Sequence, residues 1–183
     1  AVAESILARL PTLFEAGEAD LMLTAMHHPP YAELTGQGWS REDLAAFKFC
    51  RLLIDEGVFV EITNLIVPTL NDDMDLIRAM CAWIAAELGP GVPVHFSRFH
   101  PTYQLKGLPP TPVATLERAR ETALKAGLLY PYVGNVPGHP GNNTYCPKCG
   151  EVVIERRGFF IATNRLEHGK CKSCKTAIHG VWS

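Results

Sequence analysis

Two CxxC pairs near the end of the chain, Cys146-Pro147-Lys148-Cys149 and Cys171-Lys172-Ser173-Cys174, constrain its folding more than any other feature. Each pair forms a tight turn that aims two thiolates at one point. Two such knuckles on facing hairpins complete a tetrahedral four-sulfur shell with metal–sulfur distances of roughly 2.3 Å. Gly150 suits the first knuckle, because backbone must approach the sulfurs closely there. Four protein ligands leave no open coordination position, so the expected site is structural rather than catalytic. A module of about 40 residues cannot build a self-sufficient core, and a bound ion would supply most of its folding free energy, of order 10 kcal/mol. Zinc is the expected ion at Cys146, Cys149, Cys171 and Cys174. Iron in the same tetrahedron, or an auxiliary iron–sulfur cluster, is the alternative. Lys148, Lys170, Lys172 and Lys175 either soften the charge of the thiolates or are plain solvated lysines.

The rest of the composition is that of an ordinary soluble globular chain: 183 residues, 47% hydrophobic and 20% charged. A formal net charge of -2 gives no electrostatic case for wrapping nucleic acid. No apolar run reaches the roughly 18 to 20 residues needed to span a bilayer, and no secretory signal opens the chain. CxxC pairs without a secretion signal point to metal binding in a reducing compartment, so a cytoplasmic location is expected.

Ahead of the cysteines the pattern alternates between helix and strand. Ser5 to Glu15 has helical period, Ala19 to Met26 reads as a short strand, and Pro29-Pro30 with Gly36 marks a loop. Ser40 precedes Arg41-Glu42-Asp43 as the N-cap of a helix that stops at Gly57. Val58 to Val67 is rich in β-branched residues and ends at Pro68; it reads as a strand buried on both faces. Asn71-Asp72-Asp73 caps a helix to about Leu88, Val92 to Phe99 is the next strand, Val113 to Ala126 the next helix, and Leu128 to Val133 a further strand. Gly134 to Asn143 is dense in turn formers, and short β-like runs, Val152 to Arg156 and Phe159 to Ala162, lie between the CxxC pairs.

This alternation is the βαβ signature of a parallel α/β sheet or barrel. The first strand would be left with an unpaired apolar edge, which soluble proteins avoid. More strands than this chain supplies are therefore expected. The start at Ala1, inside a helical pattern, also suggests a missing N-terminal portion.

Three stretches carry a family resemblance. Glu61-Ile62-Thr63-Asn64-Leu65-Ile66-Val67-Pro68-Thr69-Leu70-Asn71-Asp72 resembles the fifth-strand motif of the pyruvate formate-lyase activating enzyme group. His95-Phe96-Ser97-Arg98-Phe99-His100-Pro101 is similar to its sixth-strand motif. Tyr132-Val133-Gly134-Asn135-Val136-Pro137-Gly138-His139, followed by the first CxxC knuckle, is the most distinctive. Together they resemble the radical S-adenosylmethionine (SAM) member of the AmmeMemoRadiSam system, from about Glu56 to Trp182, with Tyr31 to Gly36 extending the match more weakly.

The resemblance implies a partial parallel (β/α) barrel over 1–134, a linker over 135–144 and a zinc-ribbon-like β module over 145–183. In the family a CxxxCxxC holds a [4Fe-4S] cluster that binds SAM and cleaves it to a 5′-deoxyadenosyl radical for hydrogen abstraction. No CxxxCxxC exists here, and the lysine of the family's fourth-strand Asp-x-Lys is absent at Asp20-Leu21-Met22 and at Ala25-Met26-His27. The expected protein is thus the C-terminal part of a radical SAM enzyme, inactive alone, whose partners are SAM, an unidentified substrate of which a protein is one candidate, and the missing N-terminal half. The rival expectation is a non-enzymatic zinc ribbon that docks a protein or nucleic acid.

In a parallel barrel, ligands sit at the C-terminal ends of the strands. By resemblance Thr63, Asn64, Arg98, His100 and Asn135 are the expected SAM-binding residues. Each also has an ordinary structural role open to it: strand-end hydrogen bonding for His100 and sheet packing for Thr63. Asn71-Asp72 is most simply a helix cap. His27-His28 and His139 lack companion ligands and read as surface or loop residues. Cys50 and Cys81 read as buried core thiols, and Trp83 and Phe47 as core-facing helix residues.

Overall fold

A computed structural model describes residues 23–26 in their backbone, and residues 50–102, 105–158 and 160–182. The expected first helix, the Ser40 cap, Asp20, Phe47 and His27-His28 lie outside the described residues.

The first body is mixed α/β. Strand β1 (Leu23–Met26) precedes a helical segment α1 at 50–55, then β2 (Val60–Ile66), α2 (Met74–Trp83), β3 (Val94–Arg98), α3 (Val113–Lys125) and β4 (Pro131–Gly134). The four strands form one parallel sheet in the order β1-β2-β3-β4. Consecutive order with helical crossovers is the simplest way to connect parallel neighbours, since no hairpin can do it.

Helices α1 and α3 end as their glycines require. Val58 N–H donates to Leu53 O at 2.9 Å past Gly57, and Leu128 N–H donates to Ala123 O at 3.1 Å past Gly127, both glycines having positive φ. Helix α2 behaves differently. It continues as a π turn over Ile84–Leu88, closed by Gly89 N–H on Ile84 O at 3.0 Å. The expected regular helix to Leu88 is corrected in that last turn, which winds wider and buries Ile84 and Leu88.

The cap of α2 also differs from expectation. Asp73 is the N-cap, accepting from Asp75 N–H at 2.7 Å. Asp72 accepts from Thr69 N–H at 2.9 Å, in a turn where Thr69 takes a φ of 68°. Asn71 is buried and ties the strand end down, accepting from Val67 N–H and donating to Leu65 O at 2.7 Å. The Asn-Asp pair therefore shapes the strand exit, and the helix starts one residue later.

Burial along β2 alternates strictly, and the expectation of a strand buried on both faces is not met. Val60, Ile62 and Ile66 join Val94, Phe96 and Val133 in a core with Ile77, Cys81, Ile84, Leu116, Ala119 and Ala123 from the helices. Glu61, Thr63 and Leu65 are half-buried on the opposite face. Among the described residues helices α2 and α3 cover one face only, so the β-branched run satisfies a one-sided core. Cys50 and Cys81 are buried thiols within it, and Trp83 packs against it. Burial pushes the Cys81 thiol up to about 12, which keeps it neutral.

The second body is small and all β. Strands β5 (Thr144–Tyr145), β6 (Val152–Arg157) and β7 (Phe160–Asn164) form an antiparallel sheet, and β8 (Leu166–Glu167) pairs with β9 (Lys170–Cys171). Its core combines Cys146, Val153, Ile154, Cys171 and Ile178 with Tyr130, and Tyr132 packs against it. The stretch before it is folded back, with a 3-10 turn at Pro140–Asn142 and Asn142 donating to Val136 O at 2.9 Å. Among the described residues no helix is long and apolar enough to cross a membrane.

Candidate functional site

The four expected metal ligands converge. The thiol sulfurs of Cys146, Cys149, Cys171 and Cys174 all lie within 4.8 Å of one another. Cys146 Sγ is 3.4 Å from Cys174 Sγ, and Cys149 Sγ is 3.7 Å from Cys171 Sγ. These are non-bonded separations, well beyond the roughly 2.05 Å of a disulfide. They approach the edge of about 3.8 Å that a tetrahedron with sulfurs 2.3 Å from its centre would have. The donor set therefore fits a single tetrahedral ion.

Both knuckles are built alike. Gly150 N–H donates to Cys146 O at 2.9 Å, and Lys175 N–H donates to Cys171 O at 2.8 Å. The next residue closes the turn: Cys146 N–H reaches Glu151 O and Cys171 N–H reaches Thr176 O, each at 2.8 Å. The pivot residue has a φ of 73° at Gly150 and 60° at Lys175. Glycine takes that conformation freely and lysine does not.

Without a cation the sulfurs cannot all ionise together. The Thr176 hydroxyl and amide, helped by neighbouring sulfurs, bring Cys174 down to about 6. At Cys149 the Glu151 amide pulls down, but desolvation and the three other sulfurs push the other way, and the thiol ends up at about 12. A bound divalent ion removes that conflict by neutralising thiolate charge. The lysines divide: Lys172 and Lys175 both pair with Glu167, at 3.6 and 2.9 Å, not with a sulfur.

The expected SAM-binding residues split between the two faces of the sheet. Thr63 lies half-buried on the helix-free face, level with His95 in register. Asn64 is buried on the helix side, where its amide contacts Met80 Sδ at 3.2 Å and its Oδ1 has no hydrogen-bond partner among the described residues. Arg98, Asn135 and His100 gather at the strand exits. Arg98 Nε donates to Thr111 O at 2.8 Å, and Asn135 Nδ2 donates to Arg98 O at 2.9 Å. Asn135 holds a φ of 57°, and His100 is exposed. Thr111 is fully buried and anchors this corner by donating to Ile66 O and accepting from Phe99 N–H. His139 is structural: it accepts from Gly141 N–H at 2.9 Å and meets Glu117 at 3.2 Å.

A cluster that sequence reasoning missed occupies the helix-free face. Glu61 and His95 pair at 3.1 Å across β2 and β3. The His95 ring stacks on Tyr132 at 4.9 Å, and Arg156 lies over Tyr132 at 5.5 Å. Tyr132 and Arg156 both bond the Thr144 hydroxyl, at 2.9 and 2.7 Å. The hydrogen bond from His95, with the His95 and Arg156 charges, holds Glu61 below the usual carboxylate range against the pull of burial. The one sequence signal was a carboxylate inside a β-branched run, with nothing to say what it faced.

No family model matches the chain. It is 50% identical over 131 residues to a protein of Methanocaldococcus jannaschii named Uncharacterized protein MJ0808. The alignment covers 70% of this chain and 39% of that protein, so the chain spans well under half the length of this relative.

Proposed function

We propose that this chain is the C-terminal part of a radical SAM enzyme, similar to the member in the AmmeMemoRadiSam system, with a structural zinc ion in its four-cysteine module. The observation that carries the reading is the position of the resembling residues. Arg98 and Asn135 lie at the exits of two adjacent parallel strands and Thr63 within a third, beside a polar face that carries no helix among the described residues. Ligands of parallel α/β enzymes bind at such strand exits. A partial barrel is the finer form of the fold: sequential parallel strands with helices on one face are what a barrel wall requires, and the open face would be its lumen.

In such an enzyme a [4Fe-4S] cluster supplies the electron that cleaves SAM. This chain's own residues would bind and orient. Arg98 is pinned through Nε, which leaves its terminal nitrogens free of partners among the described residues and able to take a carboxylate. Asn135 is held by Arg98 O, and exposed His100 offers a ring nitrogen. Asn64, turned toward Met80, would support the strand from behind instead of touching SAM. Cys50 and Cys81 are buried in the helix-side core and are poor cluster ligands. Zinc suits the ribbon because it accepts a closed four-thiolate tetrahedron and brings no redox or geometric demands of its own.

The test uses the full-length protein, upstream region included, reconstituted anaerobically with iron and sulfide, reduced and given SAM. The expected product is 5′-deoxyadenosine, with Arg98→Ala and Asn135→Ala each slowing its formation about tenfold or more. Full-length protein that carries no CxxxCxxC and forms no 5′-deoxyadenosine would remove the reading.

A further inference from the structure

The helix-free face of the sheet carries a cavity of about 500 Å³ at its junction with the β module. That is within the roughly 300–1,000 Å³ of small-molecule sites. Sheet and β module both contribute to its wall. Glu61, His95 and Tyr132 come from β2, β3 and β4, Asn135 from the β4 exit, and Asn142 and Arg156 from the segment beyond.

Two opposite charges line this space without neutralising each other. Glu61 uses Oε2 for His95, and its Oε1 has no hydrogen-bond partner among the described residues. Arg156 uses Nη1 for Asn142 O and Thr144 Oγ1, while its Nε and Nη2 have no side-chain or backbone acceptor among the described residues. No ion pair joins the two within 4 Å among the described residues, although the Arg156 charge is felt at Glu61. Both groups are held in place. The stacked column of His95, Tyr132 and Arg156 fixes the guanidinium plane, and the Thr144 hydroxyl bonds both Tyr132 and Arg156. A carboxylate and a guanidinium that line one concave space without pairing are complementary to a molecule with the reverse arrangement.

We propose that this cavity is a binding site for a small amino-carboxylate, its ammonium or amide N–H received by Glu61 and its carboxylate by Arg156. The inference goes beyond the radical reading and does not require it, since every residue it uses belongs to this chain. SAM itself bears an amino-carboxylate head, so the same chemistry has two sources, the SAM head group or a separate co-substrate.

Ligand-observed saturation-transfer NMR on the full chain, loaded with zinc, tests the site with glycine, 4-aminobutyrate and 6-aminohexanoate as a ruler of charge separation. Acetate and ethylamine report each charge alone. At least one amino acid should bind about tenfold or more tighter than acetate or ethylamine. Glu61→Gln should weaken that amino acid about tenfold and leave acetate unchanged. Arg156→Lys should weaken both, and because Arg156 also braces Thr144, a matching thermal unfolding curve is required of it; if it unfolds early, the Glu61→Gln result decides alone. Displacement of the bound amino acid by excess SAM assigns the cavity to the SAM head group, and its persistence assigns the cavity to a second molecule; both uphold the amino-carboxylate site. Binding of none of the amino acids, or binding that Glu61→Gln does not change, overturns it.

Discussion

Cys146 and Cys174 stand 28 positions apart in the chain, yet their sulfurs lie 3.4 Å from each other. That approach joins the first strand of the β module to the last turn of its second hairpin. With Cys149 and Cys171 it makes the sulfur cluster part of the module's core, since Cys146 and Cys171 are both buried there. Elemental analysis of the purified chain should therefore find about one zinc per chain and no inorganic sulfide. Stripping it with a chelator should unfold residues 144–178 while the parallel sheet keeps its helical signal, as circular dichroism and hydrogen exchange would record. Iron recovered with sulfide, or a β module equally protected without any ion, would contradict this.

The two knuckles share one backbone pattern but differ at the pivot, where Gly150 has φ 73° and Lys175 has φ 60°. A side chain at the first position meets no neighbour, so Gly150→Ala adds backbone strain alone. It should cost about 1 kcal/mol of stability. Lys175→Gly should do the reverse and relieve strain of similar size, less the small and salt-screened contribution of the exposed Glu167 pair. Thermal unfolding of both variants with zinc bound gives the comparison, and a destabilised Lys175→Gly would refute the shared-knuckle account.

Much of this was legible in the sequence, for physical reasons that also mark where reading stops. The CxxC spacing names its ligands outright, because two residues between thiols permit little except a knuckle. The β-branched run ending at Pro68 announces β2, and Gly57 and Gly127 announce helix ends, because these are local preferences. Which face of β2 is buried is not local. It depends on helices packing on one side, so Glu61 and Thr63 look like interruptions in the sequence and turn out to line the open face. The Glu61–His95 pair needs the parallel register between strands 34 residues apart, and Arg156 reaches it from a different sheet. Asn64 shows the opposite error: it lies inside β2, which runs on to Ile66, and its side chain turns to Met80. Of the expected cap residues Asn71, Asp72 and Asp73, only Asp73 caps the helix, because adjacent capping residues differ only in which amide each meets.

Glu61 makes stability depend on acidity in a set direction. Its folded carboxyl titrates below the usual range because of the His95 hydrogen bond first, and of the His95 and Arg156 charges. Tyr132 also faces it, with a phenol raised chiefly by burial and so neutral across the acid range. A lowered carboxyl stabilises fully above its unfolded value, near 4.5, and loses that contribution as pH falls through the folded value. The difference in unfolding free energy between wild type and Glu61→Gln should thus shrink as pH falls through the acid range. Loss of the metal at low pH affects both proteins and cancels in the difference. A gap that widens as pH falls would reverse the assignment.

The β module is fastened to the base of the sheet through His179. Its backbone N–H donates to the hydroxyl of buried Tyr130 at 3.1 Å, and its ring lies 5.4 Å from that of Phe59. Gly91 leaves room for it, since a Cβ there would sit 3.1 Å from the imidazole. Tyr130 also belongs to the core that contains Cys146 and Cys171, so it links the cysteine cluster to the start of β4. Tyr130→Phe removes the acceptor while keeping the ring, and should cost about 1 kcal/mol. It should also uncouple the two bodies. In wild type, chelation should speed amide exchange in β4 as well as in the β module, whereas in Tyr130→Phe the β4 amides should respond less. Equal responses of β4 in the two proteins would mean that the coupling runs elsewhere, through Tyr132 and its bond to Thr144.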